Sequence, residues 1–311
     1  MNNPANPILE TPTPSGLRAF LDAAERDKLD RLFLESRGAV EGSLAGRHRN
    51  RRHGSGTEFS DHRPYIPGDD PRRIDWKVLG RTERCFLRQY QDETNLRVYL
   101  VVDRSASMGY GTIGRTKYEY ACKLAAALGY IVVRNRDSLG LHLYASGPAE
   151  TAPARHTLLH LDHCLERLQR SRPDGLTSTA ETLHRIAEGI RRRALIVVLS
   201  DLMDDQEAVI KSLAHFRRQH HDVILFQILD PAELDVSKAP DGEYEDLETG
   251  ERLSTSPQAL APAYQALLGE FLQGYRRAAA EMRIDYRLVS TAEPVIPLVR
   301  HYLEQRERLS R

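Results

Sequence analysis

Two short apolar runs, each ending in a hard oxygen donor, limit the fold more than anything else in this 311-residue chain. Leu96–Val102 reads LRVYLVV and stops at Asp103, and Ala194–Leu199 reads ALIVVL and stops at Ser200-Asp201. Both are rich in β-branched residues and nearly continuous in apolar character, the pattern of strands covered on both faces. Central parallel strands point the same way, so both acids are delivered to the carboxyl edge, where open α/β sheets bind ligands. The fold expected is α/β: a doubly wound, mostly parallel sheet with helices on both faces.

The rest of the chain alternates accordingly. Three- and four-residue apolar spacing predicts helices over 117–134, 158–170, 179–192, 207–219, 259–282 and 295–308. Strands are expected at 139–145, 147–156, 223–229 and 285–289, and a hairpin over 241–254. Residues 1–15 read as a disordered tail. Residues 16–92 read as a helical segment and a small, irregular, partly β N-terminal appendage, and 93–311 as the α/β domain. The appendage concentrates Arg63, Tyr65, Asp69, Asp70, Arg72, Asp75 and Trp76. These form either an internal ion-pair network or a partner-binding surface, with Trp76 expected to anchor the appendage to the core.

Several function classes are disfavoured. Lys+Arg and Asp+Glu both total 44, so no global field favours nucleic acid, and Arg47–Arg52 reads as a solvated loop. The apolar stretch Leu124–Val133 is too short for a membrane span, and the N-terminus lacks a signal peptide's basic and apolar regions, so a cytoplasmic location is expected. Cys85, Cys122 and Cys164 read as buried or idle thiols, and His220-His221 as a surface turn. Gly109–Gly114 spells G-x-G-x-x-G, but five residues separate it from Asp103 and the second strand ends without a carboxylate, so a dinucleotide site does not follow. A phosphotransferase nucleophile at Asp103 would need a second Asp where Ser105 stands. No catalytic residue is assigned, and an enzyme is not expected.

Asp103, Ser105 and Ser107 alternate at two-residue steps. The polar loop Gly175-Leu176-Thr177-Ser178-Thr179 can add a hydroxyl, from Thr177 or Thr179, and Asp201 completes the set. Carboxylates mixed with neutral hydroxyls suit a small hard cation that keeps part of its water: Mg²⁺, with Mn²⁺ or Ca²⁺ as alternatives. Because hydroxyls carry no charge, such a site keeps residual positive charge and attracts an outside acid. The competing reading makes the same residues turn and cap formers. Asp103 and Asp201 at opposite ends of the sheet, or a Lys or Arg buried in the gap between them, would overturn a shared ion.

This pattern resembles the metal-ion-dependent adhesion site of von Willebrand factor A domains. The resemblance implies Asp103, Ser105, Ser107, Thr177 and Asp201 as the metal set, the hydroxyls binding directly or through water and the aspartates mostly through water. It also implies that a partner's acidic side chain takes the last position. Leu176 departs from the pattern, where a second glycine is common. The stretch from Gly56 to Met108 and the LETGERL segment at 247–253 are similar to the bacterial family called domain of unknown function 58, most strongly between Gly46 and Leu229. That resemblance implies a von Willebrand factor A-like protein working with MoxR-type AAA+ ATPases, with no reaction established. The expectation is a non-enzymatic, metal-dependent protein-interaction module whose partner is such an ATPase or a client bearing an acidic residue. Alternatives are a metal-dependent hydrolase using the same ion and a metal-free scaffold binding through residues 63–76.

Overall fold

The computed structural model describes residues 15–32, 58–66, 74–82, 84–91, 96–176 and 178–310. Helices α1 (Ser15–Phe20) and α2 (residues 23–32) come first, followed by β1 (Glu58–Pro64), α3 (Trp76–Thr82) and β2 (Phe86–Gln91), with β1 and β2 paired antiparallel. Next come β3 (Arg97–Asp103), α4 (Lys117–Arg134), β4 (Ser138–Tyr144), β5 (Glu150–Arg155), α5 (Leu158–Arg170) and α6 (Thr179–Gly189). The chain continues through β6 (Leu195–Ser200), α7 (Gln206–Arg218), β7 (Asp222–Leu229) and α8 (Pro231–Leu234). A hairpin of β8 (Gly242–Glu245) and β9 (Arg252–Thr255) precedes α9 (Pro257–Glu281), β10 (Asp285–Ser290) and α10 (Val295–Ser310).

The main sheet has six strands in the order β10-β7-β6-β3-β4-β5. All neighbours are parallel except β4 and β5, which are antiparallel. From β3 the chain builds outward through β4 and β5, then returns to β3's other side with β6 and continues through β7 to β10. The direction of winding reverses between β3 and β6, and their carboxyl ends are the position where open α/β sheets place ligands.

Period-two burial explains why the strands read as continuous apolar runs. Val98, Leu100 and Val102 face one core with Leu195, Val197 and Leu199, roofed by α4, α5 and α10. Val101, Ile196 and Val198 face a second core under α6, α7 and α9. The helical part of the N-terminal segment belongs to the first core: Leu17, Leu21, Leu29 and Leu32 are buried in it. Leu17 N–H donates to Asp162 Oδ1 at 2.9 Å, and Lys123 pairs with Glu25 at 2.6 Å.

Two expectations are corrected. Trp76 is 63% exposed and therefore does not anchor the appendage; its neighbour Asp75 takes the buried place and accepts the Val78 amide at the start of α3. His221 is buried rather than at a surface turn: the chain reverses at His220 (φ 64°), and His221 Nδ1 accepts the Ala194 amide, joining the starts of β6 and β7. Among the described residues no helix is long and apolar enough to cross a membrane.

Glycines test how tightly this sheet is packed. Gly140 lies opposite Tyr99 in the β3–β4 register, and a Cβ there would meet the Tyr99 ring at 2.5 Å. Gly269, inside α9, has open space around it. Replacing a mid-element glycine by alanine ordinarily stabilises by about 0.5–1 kcal/mol. Gly269→Ala should do so, whereas Gly140→Ala should lose about 1–3 kcal/mol through overpacking. Urea-unfolding midpoints of the two variants are expected to move in opposite directions.

Candidate metal centre

Asp103 ends β3, and the β3–β6 register, in which Val102 pairs with Leu199, brings Ser200 level with it. Ser200 Oγ–H donates to Asp103 Oδ2 at 2.6 Å, and Ser105 N–H donates to Oδ1 at 2.9 Å. The Tyr144 hydroxyl, from the end of β4, lies 3.3 Å from both Asp103 Oδ2 and Thr179 Oγ1. Ser105 and Ser107 converge, their hydroxyl oxygens 3.0 Å apart. Asp103, Ser105, Thr179, Ser200 and Asp201 are fully buried.

The glycine-rich loop lies beside the first loop, as its position in the sequence suggests. Ala106 N–H donates to Gly175 O at 2.9 Å, and Asp174 N–H donates to Arg104 O at 2.9 Å. Gly175 has φ +82°, and a Cβ there would meet Ser146 Oγ at 2.6 Å, so this tight crossing requires glycine. Thr177 lies outside the described residues, as do Asp69, Asp70 and Arg72. Arg63 lies in β1, Tyr65 follows that strand, and Asp75 and Trp76 sit at the start of α3, so they stand in the appendage rather than at this edge. Ser178 precedes α6 but does not cap it: its hydroxyl donates to Ala145 O.

The residue that sequence reasoning missed is Lys117, the first residue of α4. Its ammonium is 1% exposed and donates to Asp201 Oδ2 at 2.7 Å and to Glu233 Oε1 at 2.5 Å. Burial alone would lower its pKa, but Asp201 and Glu233 outweigh burial and hold it charged. The one signal in the sequence was the Thr116-x-x-Glu119 capping box that starts α4 and fixes where Lys117 stands. Glu233 also accepts the Asp230 amide at 2.7 Å. Asp230, at the end of β7, holds the loop after β3 through the Thr112 amide at 3.0 Å and reaches Thr291, after β10, at 3.1 Å. The Gly109–Gly114 segment is thereby tied down on a carboxylate.

Lys117 is a buried cation of the kind that would argue against a shared ion, and it commits one oxygen of Asp201. The other, Oδ1, accepts the Met203 amide at 3.2 Å. Asp103 is not neutralised in this way: burial first, and then the negative charge of Asp201, push it up to about 7. Two carboxylates, Asp201 and Glu233, share one ammonium, and among the described residues Asp103 has no cationic partner. The Ser105–Ser107 separation equals the edge of an Mg²⁺ octahedron, roughly 2.9–3.0 Å for Mg–O bonds of 2.0–2.1 Å. Ser105 and Ser107 are therefore spaced as two neighbouring ligands of a hard cation are, while both oxygens of Asp201 are already engaged. The buried thiols, Cys122 and Cys164, stand apart in α4 and α5, pushed by burial up to about 12 and about 11.

Comparison with known proteins places the chain. An uncharacterised protein of Mycobacterium tuberculosis and one of Mycobacterium bovis are each 32% identical to it over 245 residues, covering 76% of this chain and 75% of the relative. The crystal structure of the conserved hypothetical protein BatB from Bacteroides thetaiotaomicron is similar at 16% identity and TM-score 0.46, over 68% of this chain and 99% of that one. The SpRpn10 VWA domain is similar at 13% identity and TM-score 0.39, over 66% and 94% of the two chains. Structural likeness at that level decides nothing about function. The sequence match does decide family: residues 61–269 fit the description "protein of unknown function DUF58", and the chain belongs to that family.

Proposed function

We propose that the carboxyl edge between β3 and β6 is a protein-docking site, at which a hard divalent cation joins this chain to an acidic side chain of its partner. The observation that carries the reading is the Ser105–Ser107 hydroxyl pair, 3.0 Å apart beside buried Asp103. Ser105 and Ser107 would hold the ion, Asp103 and Asp201 would orient its waters, and Thr177 is the loop hydroxyl that the sequence pattern nominates. When bound, Mg²⁺ supplies positive charge with an exchangeable coordination position.

Binding rather than turnover is supported by how the neighbouring groups are employed. Lys117, the one nearby amine, is locked between two carboxylates, and the Tyr144 hydroxyl is held well above its ordinary pKa by burial and by Asp103. Neither is free to pass a proton near neutral pH, and Asp103, raised to about 7, is fully buried and enclosed by Ser105, Tyr144 and Ser200. The partner is an AAA+ ATPase of the MoxR type or that ATPase's client, as the likeness to domain of unknown function 58 implies. The exposure of Trp76 and Ile66 favours a second reading, a metal-free scaffold that binds through the appendage. Capture of the ATPase that survives EDTA and Asp201→Ala but fails with Trp76→Ala would favour that scaffold.

Calorimetric titration with Mg²⁺ or Mn²⁺ should give saturable heat for the wild type, weakened about tenfold or more by Ser107→Ala. Identical heats for both proteins would remove the site, and EDTA-sensitive turnover of phosphoesters would replace docking by hydrolysis. Lys117→Met should cost about 3–5 kcal/mol in urea unfolding, because two carboxylates lose their buried counter-ion. Adding Glu233→Gln should restore part of that loss.

A further inference from the structure

We infer that His184 and His215 form a second, chemically different metal site, for a late first-row divalent cation such as Ni²⁺ or Cu²⁺. His184 comes from α6 and His215 from α7, and their Nδ1 atoms lie 3.0 Å apart with ring centroids at 4.5 Å. They open on a groove shared with Lys211, Ser212 and Arg218. Two nitrogens each about 2.0–2.1 Å from one metal and 3.0 Å from each other subtend roughly 91–97° at it. That is the angle of neighbouring positions in a square or octahedral shell, whereas a tetrahedral ion needs roughly 3.4 Å between the nitrogens. Square and tetragonal nitrogen sites select Cu²⁺ and Ni²⁺ over Zn²⁺.

The second nitrogen of each ring is engaged one turn further along its own helix. His184 Nε2 lies 3.5 Å from Glu188 Oε1, and His215 Nε2 lies 2.9 Å from the Gln219 side-chain amide. Without a metal the Gln219 side-chain nitrogen donates to His215 Nε2, so that ring carries its proton on Nδ1 and donates it to His184 Nδ1; a metal between the two Nδ1 atoms requires the His215 proton to move to Nε2 and the Gln219 amide to turn its oxygen toward it. Outer partners of this kind orient metal-bound histidines. Lys211 is paired with Glu207 at 3.5 Å and Ser212 Oγ donates to Ala180 O at 2.7 Å, so neither is a ligand; water or a small anion fills the remaining positions.

The test is calorimetric titration of the full chain with NiCl₂ or CuCl₂ in a non-chelating buffer, for the wild type, His184→Ala, His215→Ala and the double variant. A saturable binding step that Ser107→Ala retains is expected, weaker with Zn²⁺, reduced at least tenfold by either histidine substitution and no further by both. The melting temperature should rise with Ni²⁺ in the wild type alone, because a ligand that binds only the folded state stabilises it. Wild-type heats that do not saturate, or saturable heats that both single variants retain, would overturn the assignment.

Discussion

One buried ammonium group determines what the carboxyl edge can be. An isolated charge costs several kcal/mol to bury, so Lys117 can stand at 1% exposure only where carboxylates meet it. Those carboxylates arrive from two other places in the chain, Asp201 at the end of β6 and Glu233 in α8. Charge balance therefore closes the edge as firmly as packing closes the core. From Glu233 the polar bonds run on through Asp230 to Thr112 and Thr291, so the loops after β3, β6, β7 and β10 are cross-linked.

This arrangement divides the two aspartates into different roles. Asp201 is answered from within the chain, while Asp103 is answered only by neutral donors, Ser200, Ser105 and Tyr144. A cation entering the proposed site would compensate Asp103 while facing a fixed ammonium beyond Asp201. That repulsion keeps its hold weaker than two bare carboxylates would, so a partner's carboxylate adds proportionately more. On this account Lys117 sets how far the docking depends on both components together.

The convergence of Asp103 and Asp201 was legible in the sequence because strand geometry fixes it. Period-two burial assigns β3 and β6 to a buried sheet, and parallel strands must end together, so Asp103 and Asp201 could be placed from LRVYLVVD and ALIVVLSD alone. Lys117 could not, because its partners lie 84 and 116 positions away and a lysine inside an amphipathic helix reads as surface. His184 and His215 escaped for the same reason: 31 residues separate them on two helices, and only the packing of α6 on α7 brings the rings together. Trp76 was misjudged because size and apolarity suggested burial, whereas the N-cap position of Asp75 turned it outward.

The two sites meet through the helices that lie between them. α6 begins at Thr179, whose hydroxyl lies by Tyr144 at the sheet edge, and α7 begins just after the loop that carries Asp201. The Ala180 amide donates to Asp204 in that loop at 3.3 Å, and Ser212 on α7 donates to the Ala180 carbonyl. Fixing α6 against α7 at His184 and His215 would therefore also fix the loops that place Thr179 and Asp201. The two proposed donor sets differ in hardness, oxygen at the sheet edge and imidazole nitrogen on the helices, so each would favour a different ion.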